Sequence, residues 1–435
     1  MGVLMFGLGR KSHEVFGIST EILEDSYVNR GSIDELAERL IKRSTHIALR
    51  GESKCGKSWV RQKNFPDAIT VQCRLNKCVT DLYEDALSQL GLKLIVEQTG
   101  EKGFRGKLEA HQEIGVKLLA KLELAQEVEG EQKSGTKSIP VGRDLKDLRF
   151  VADIIKASGR RLVIEDFHYL APAERKAFAF DLKALWDLQT YVVVIGIWAE
   201  NNLLLWLNPD LAGRIEEISI YWSKDELEAV LTKGADALNI EFSPAIRAKM
   251  VEDAFGTVGI LQAIALKTLD EHGIFERKLS KQSAADISKY EYAAATYAEQ
   301  LNPLYQTFAQ RVAKGIRTRK DATGIYAHML KVVMDADSAD LTRGLHIDAI
   351  FARAHQNEPR IQKGNLRQIL TKIDSLQIDD DGRGLILTFD HGKNEVFVVD
   401  KQLLTYRKYC TVHWPWASLI EQSDQSGGGY DADQE

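Results

Sequence analysis

Gly51-Glu52-Ser53-Lys54-Cys55-Gly56-Lys57-Ser58 has the residue types and spacing G-x-x-x-x-G-K-[ST]. That pattern predicts a loop that holds the phosphates of a nucleoside triphosphate. Gly51 and Gly56 let the backbone wrap a phosphate, so that the N–H groups of intervening residues such as Ser53, Lys54 and Cys55 point inward. A helix beginning near Lys57 adds its positive end. Lys57 then reaches the β- and γ-phosphates and the Ser58 hydroxyl ligates Mg²⁺, so the expected ligands are ATP and Mg²⁺.

A second group of residues complements the first. Leu162-Val163-Ile164 is an apolar strand that ends in Glu165 and Asp166. Two acids at the carboxyl end of a parallel strand face the region where ligands of such sheets bind. One acid, Glu165, is placed to hold the Mg²⁺ shell with Ser58, and the next, Asp166, to orient or deprotonate an attacking water. The alternative is an ordinary strand end with two solvated acids.

The surrounding elements must bring these groups together. His46–Leu49 reads as a short buried strand running into Gly51, and Ala68–Cys73 as a second strand with a helix near Asp81–Leu90 after it. Leu148, Val151, Ala152 and Ile155 mark a helix ended by Gly159, another is expected over Ala173–Leu188, and a strong strand at Tyr191–Ile197. Strands alternating with helices imply an α/β fold, a P-loop NTPase parallel sheet covered on both faces. Ser32–Glu35 and Ser223–Glu226 both have capping-box spacing. Residues 97–140 are rich in Lys, Glu, Gln and Gly and read as an inserted, partly helical, exposed excursion.

The organisation expected is a lead-in over 1–26, an ATPase core over 27–222, a helical lid and connection over 223–300, a winged-helix domain over 301–422 and a disordered tail over 423–435. The strands are expected to stop at Ser223. The last domain is read from three helices, around Ile325–Met334, Ile347–Ala354 and Lys363–Leu376, followed by a hairpin of Leu385–Phe389 and Glu395–Val399.

At 435 residues the chain is long enough for two or three cores. Its hydrophobic (44%) and charged (28%) fractions are those of a soluble globular protein. A net charge of -6 forces no nucleic-acid partner, so any basic surface has to be local. Four scattered cysteines fit a reducing compartment and, with no second Cys or His pair after Cys73 and Cys78, do not spell a zinc site. Met1–Gly9 lacks a basic leader and a cleavage site, no apolar run has the length of a membrane span, and a cytoplasmic location is expected.

With these motifs in place, the chain resembles the AAA+ and STAND superfamily of P-loop ATPases, especially the branch near origin-recognition proteins. The resemblance covers about residues 27–273. Tyr27-Val28-Asn29-Arg30 looks like the leading box of that branch. The resemblance implies a polar sensor 1 residue at Asn201, with Asn202 equally eligible, and an arginine finger at Arg214, whose alternative is a surface arginine near a helix end. Two departures matter. Most relatives read Asp and then Asp or Glu where this chain has Glu165 and Asp166. No arginine lies within Gly256–Gln262, where the lid's sensor 2 is expected. Both favour a slow switch over a fast motor. The likeness implies a homo-oligomer and an effector protein partner, and such proteins often serve bacterial antiphage defence or mobile elements.

In the winged segment, Lys363, Asn365, Arg367, Gln368 and Lys372 decorate the third helix, while Leu366, Ile369, Leu370 and Ile373 face the core. With Lys393 on the wing they are candidates for contact with DNA or with a partner protein. Arg311, Lys314, Arg317, Arg319 and Lys320 form a basic run nearby, and Tyr406, Trp414 and Trp416 read as core packing. Three functions are consistent with these residues: a regulatory ATPase acting on an effector, a DNA-loading ATPase, and a module that holds ATP without turnover.

Overall fold

The structure is a computed structural model and describes residues 9–74, 76–99, 103–110, 115–118, 145, 147–198, 202–315, 324–377, 385–417 and 420–421. Two compact units make up the chain. One takes in Arg30–Gly51 and Lys57–Ile220; the other takes in Glu52–Gly56 with the described residues before Arg30 and after Ile220.

In the first unit the strands are β1 (His46–Gly51), β2 (Ile69–Gln72), β3 (Leu92–Thr99), β4 (Gly103–Ala110), β5 (Leu162–Glu165), β6 (Val192–Gly196) and β7 (Ile215–Ile220). Five of them form a parallel sheet in the order β2-β5-β6-β1-β7. Every residue of β6 is buried, as a central strand covered on both faces requires. The helices Gly31–Ile41 and Lys57–Asn64 pack together and against β7 and β1, while Val79–Gln89, Leu148–Ser158 and Pro172–Asp187 form a second group. Ile69, Val71, Ile164, Val192 and Val194 share one core with Leu82, Phe167 and Phe178.

Two expectations for this unit are corrected. β3 and β4 pair antiparallel across the start of the expected helical excursion, whose remaining stretch lies outside the described residues apart from 115–118. Ile95 and Val96 are β-branched and favour the extended chain, a local signal that the polar composition of 97–140 obscures. The helix Gly31–Ile41 has Arg30 at its N-cap, so Ser32 falls inside the first turn rather than at the cap; Asp34 reaches back and its Oδ2 accepts from the Arg30 N–H at 2.8 Å.

The second unit holds the short parallel pair β8 (Ile240–Phe242) and β9 (Gln282–Ala284), and the antiparallel sheet of β10 (Leu345–His346), β11 (Leu387–Asp390) and β12 (Glu395–Val398) in the order β10-β12-β11. Strands therefore do not stop at Ser223. Three residues are too few to show an alternation, which is why β8 and β9 escape a periodicity reading. The helix Lys224–Leu238 starts at the expected capping box: Glu226 N–H donates to Ser223 Oγ (3.2 Å) and Ser223 N–H to Glu226 Oε2 (2.8 Å).

With Pro244–Asp253 and Val258–Glu271, that helix encloses a core of Leu227, Leu231, Met250, Leu261 and Ile264. The lead-in also corrects the expectation of irregular chain. Ser12–Val15 forms a helical turn, Val15 and Phe16 are fully buried, and a Cβ on Gly234 would stand 2.2 Å from the Phe16 ring. The later core gathers Tyr305, Leu330, Leu366, Ile369, Leu370, Ile373, Tyr406 and Trp416, with Trp414 packed against it, as expected for those residues. The expected helix Lys363–Leu376 is two, Lys363–Leu370 and Ile373–Gln377. Between them the Thr371 hydroxyl and N–H both donate to the Arg367 carbonyl, at 2.8 and 3.0 Å.

Candidate functional site

β1 delivers Gly51 at its carboxyl end, and Lys57 opens the next helix. Lys57 Nζ donates to the Gly51 carbonyl at 2.9 Å. The first turn of Lys57–Asn64 carries no acid and its last turn carries Arg61 and Lys63. The charges thus leave the positive helix end unopposed, suited to an anion. Ser58 is exposed on that turn.

β5 delivers Glu165 as its last residue, paired in register with Gln72 of β2. Arg61 Nε meets Glu165 Oε1 at 3.1 Å, with both side chains largely shielded. Ser58 and Arg61 are three apart on one helix and so share a face. The pair therefore draws Glu165 toward the face that carries the Ser58 hydroxyl. Asp166 follows at φ 57°, a left-handed conformation that Asp tolerates, and its Oδ2 accepts from Gln72 Nε2 at 2.9 Å. Arg61 and Gln72 were not singled out from sequence. The signal available for Arg61 was its helical spacing from Ser58.

His168 follows these acids in the turn Phe167–Tyr169 and is buried. Burial, then the charges of Lys57 and Arg175, push its pKa down to about 3. Its Nδ1 accepts from the Ile197 N–H at 3.3 Å, so the neutral ring holds the end of β6. Gly196 is required there, because a Cβ would meet the Trp198 ring at 2.5 Å.

Asn201 lies outside the described residues. Asn202 sits at φ 57° and its N–H donates to both carboxylate oxygens of Glu217 at 3.1 Å. Trp198 Nε1 donates to the same carboxylate at 3.0 Å, and Arg50 approaches it at 3.5 Å. This Arg50–Glu217–Trp198 group, also missed from sequence, anchors the chain after β6. Arg214 stands at the amino end of β7, beside His46, with its guanidinium 4.9 Å from the Trp186 ring centroid. Gly51 lies at the other end of β1, a span of about 16 Å for five residues. The structure thus brings Lys57, Glu165 and Asp166 to one edge of the sheet and leaves Arg214 at the opposite edge.

The loop Glu52–Gly56 has left-handed backbone at Lys54 (φ 59°) and Gly56 (φ 92°). Such alternation of hand turns successive N–H groups toward a common anion. Elements of the second unit grip the loop. Trp222 Nε1 donates to the Cys55 carbonyl (2.8 Å) and Gly259 N–H to the Lys54 carbonyl (3.0 Å). A Cβ on Gly259 would come within 2.7 Å of Lys54 Cβ, so this approach needs glycine. Lys401 Nζ pairs with Glu52 at 2.8 Å, and Lys54 Nζ donates to Gln402 Oε1. Gln262 is buried, its Oε1 accepting from Gly17 N–H and its Nε2 donating to Ser26 Oγ.

These donors fit the group that the motif implies. The turned loop, Lys57 and the helix start suit a triphosphate. The Ser58 hydroxyl and the Glu165 carboxylate are hard oxygen ligands of the kind Mg²⁺ takes.

In the later segment Lys363, Asn365, Arg367, Lys372 and Lys393 are all exposed, while Leu366, Ile369, Leu370 and Ile373 are buried as expected. Lys363 pairs with Asp348, and Lys393 Nζ lies 5.6 Å from the Phe397 ring centroid. Of the nearby basic run, Arg317, Arg319 and Lys320 lie outside the described residues.

The parallel order β2-β5-β6-β1-β7, the glycine-lysine loop after β1 and the acid-ended β5 define a P-loop nucleoside-triphosphatase fold. Among solved structures the chain is similar to a Walker-type ATPase of Pyrococcus abyssi, with 15% identity, 88% of this chain and 96% of that one covered, and a TM-score of 0.49. It is also similar to the ORC1 protein of Aeropyrum pernix solved in complex with DNA (10% identity, 95% and 99% covered, TM-score 0.42). A third is a Signal Transduction ATPase with Numerous Domains (STAND) from Pyrococcus horikoshii, which has a tetratricopeptide repeat sensor (11% identity, 95% and 46% covered, TM-score 0.36). No protein-family model matches the chain, and no curated protein sequence matches it. No described helix is long and apolar enough to cross a membrane.

Proposed function

We propose that the chain is an ATP-binding, slowly hydrolysing conformational switch of AAA+/STAND type that regulates an effector protein, with antiphage defence as the setting the family resemblance suggests. The observation that carries the reading is the phosphate loop itself, ending in Lys57 and Ser58 on a helix whose Arg61 holds the β5 carboxylate. Gly51, Ser53, Lys54, Cys55, Gly56 and Lys57 would hold the phosphates, and Ser58 with Glu165 the Mg²⁺, which when bound screens the phosphate charge. Asp166 accepts a proton from water or orients it. The order of elements from Ile325 to Val398, helices followed by a hairpin with a third short strand, supports a winged helix.

Titration of a fluorescent ATP analogue with Mg²⁺, alongside steady-state hydrolysis, tests this. The wild type should bind and turn over, and Lys57→Ala should lose binding because the phosphates lose their fixed cation. Equal affinity in the two proteins sinks the assignment. Binding without any turnover favours the ATP-holding module. Five exposed side chains, Lys363, Asn365, Arg367, Lys372 and Lys393, support a contact surface for a protein partner, with DNA loading as the competing role.

A further inference from the structure

Lys54 of this loop has its side chain committed away from the loop. Its Nζ donates to Oε1 of Gln402, a residue that is 4% exposed. The same Oε1 accepts from the Tyr297 hydroxyl at 2.6 Å. On the other side, Gln402 Nε2 donates to both carboxylate oxygens of Asp400 at 3.1 and 3.2 Å, and Asp400 also accepts from the Tyr305 hydroxyl at 2.9 Å. The amide orientation is thereby set by chemistry. An ammonium can only donate and a carboxylate can only accept, so turning the amide over would break both contacts. Lys401, the preceding residue, pairs with Glu52 of the same loop. Further on, the helix Gln402–Tyr409 is tied down where Lys408 and Tyr409 meet the fully buried Asp253.

We infer that Gln402 is a positioning residue of the nucleotide site: by holding Lys54 it keeps the phosphate loop in its turned form and links occupancy of that loop to the helix Gln402–Tyr409. The inference rests on the phosphate-loop reading. Its physical content is pre-organisation. Lys54 has a left-handed backbone that a lysine seldom adopts unaided, and the bonds to its side chain and carbonyl keep that turn in place before a phosphate arrives. Linkage then works in both directions, so nucleotide binding must in turn stabilise the Gln402 contact.

The test is a double-mutant cycle on the full chain. Affinity for a fluorescent ATP analogue with Mg²⁺ is measured for wild type, Lys54→Ala, Gln402→Ala and the double variant. Hydrogen exchange over 402–409 is followed with and without nucleotide. Each single change should weaken binding roughly tenfold, as loss of a hydrogen bond with a charged partner does. The double variant should be no weaker than either single one. The analogue should slow exchange over 402–409 in the wild type and in neither single variant. Gln402 is buried, so a merely structural role would lower the Tm of Gln402→Ala and leave the cycle additive; additivity overturns the inference. Lys54→Ala, which truncates one loop side chain, gives a second reading: wild-type affinity in that variant overturns it as well. A wild type that binds no nucleotide overturns the phosphate-loop reading first.

Discussion

Arg61 Nε meets Glu165 Oε1 at 3.1 Å, and under the proposed function Glu165 and Asp166 have separable roles. On that proposal a bound Mg²⁺ would have to compete with Arg61 for Glu165. Glu165→Gln should therefore raise the Mg²⁺ concentration needed for half-maximal turnover, with nucleotide still bound. Asp166→Asn should leave binding intact and lower turnover about 100-fold, because an amide cannot take a proton from water. A Mg²⁺ titration of steady-state hydrolysis for both variants checks this, and normal turnover by Asp166→Asn would mean that the roles are reversed. The two acids and the whole of Gly51–Ser58 were legible as linear motifs. Arg61 and Gln72, which orient those acids, were not, since an arginine in a helix and a glutamine in a strand are common and only proximity singles them out.

At the scale of elements, two neutral histidines tie the sheet together. His46 donates from Nε2 to the Leu182 carbonyl (2.8 Å) and accepts at Nδ1 from Val192 N–H (2.9 Å), joining β1 to the helix Pro172–Asp187 and to β6. Burial pushes its pKa down to about 4, and that of His168 to about 3. Both lie below the unfolded value of about 6.5. The unfolded chain therefore binds more protons between those limits, and stability is full above pH 6.5 and is lost as pH falls toward 4. At pH 5 each histidine should cost about 2 kcal/mol relative to pH 7.5. Urea midpoints at the two pH values should differ accordingly, and His46→Gln should roughly halve the difference. An equal slope in that variant would remove His46 as the cause. The main strands and helices were readable from periodicity. The β3–β4 pair and the three-residue strands β8 and β9 were not, because short or masked patterns depend on a partner strand to become regular.

For the whole molecule the position of Arg214 decides how it can act. It lies at the sheet edge opposite Gly51, so it cannot serve the phosphates of its own chain, and a finger role requires a neighbour. Turnover per chain should then rise with protein concentration, and Arg214→Ala should abolish that rise while sparing nucleotide affinity. Concentration-independent turnover, unchanged by the substitution, rejects the finger. The exposed basic side chains of the later segment offer a second test at this scale. If they meet DNA, affinity should fall with a log–log salt slope of about -0.9 per phosphate, and Arg367→Ala with Lys372→Ala should reduce the slope by about two units. If they meet protein, anisotropy titrations of the full chain should show negligible DNA affinity at both salt concentrations. The same changes should then alter oligomer size or partner capture, the outcome expected for a chain of net charge -6.

The phosphate loop, the acid-ended strand and the alternation of strands and helices are local in the chain. They rest on backbone freedom at glycine, on charge at fixed spacing and on apolar periodicity, so the sequence alone determined the class of fold and the motif on which the proposed nucleotide binding rests. Contacts between distant residues required the tertiary structure. Lys54 and Gln402 are hundreds of residues apart, Phe16 fills the space that Gly234 leaves, and Gly259 lets one helix approach the loop. Nothing in the spacing of such residues encodes their meeting, because each pairing is set by how whole elements pack.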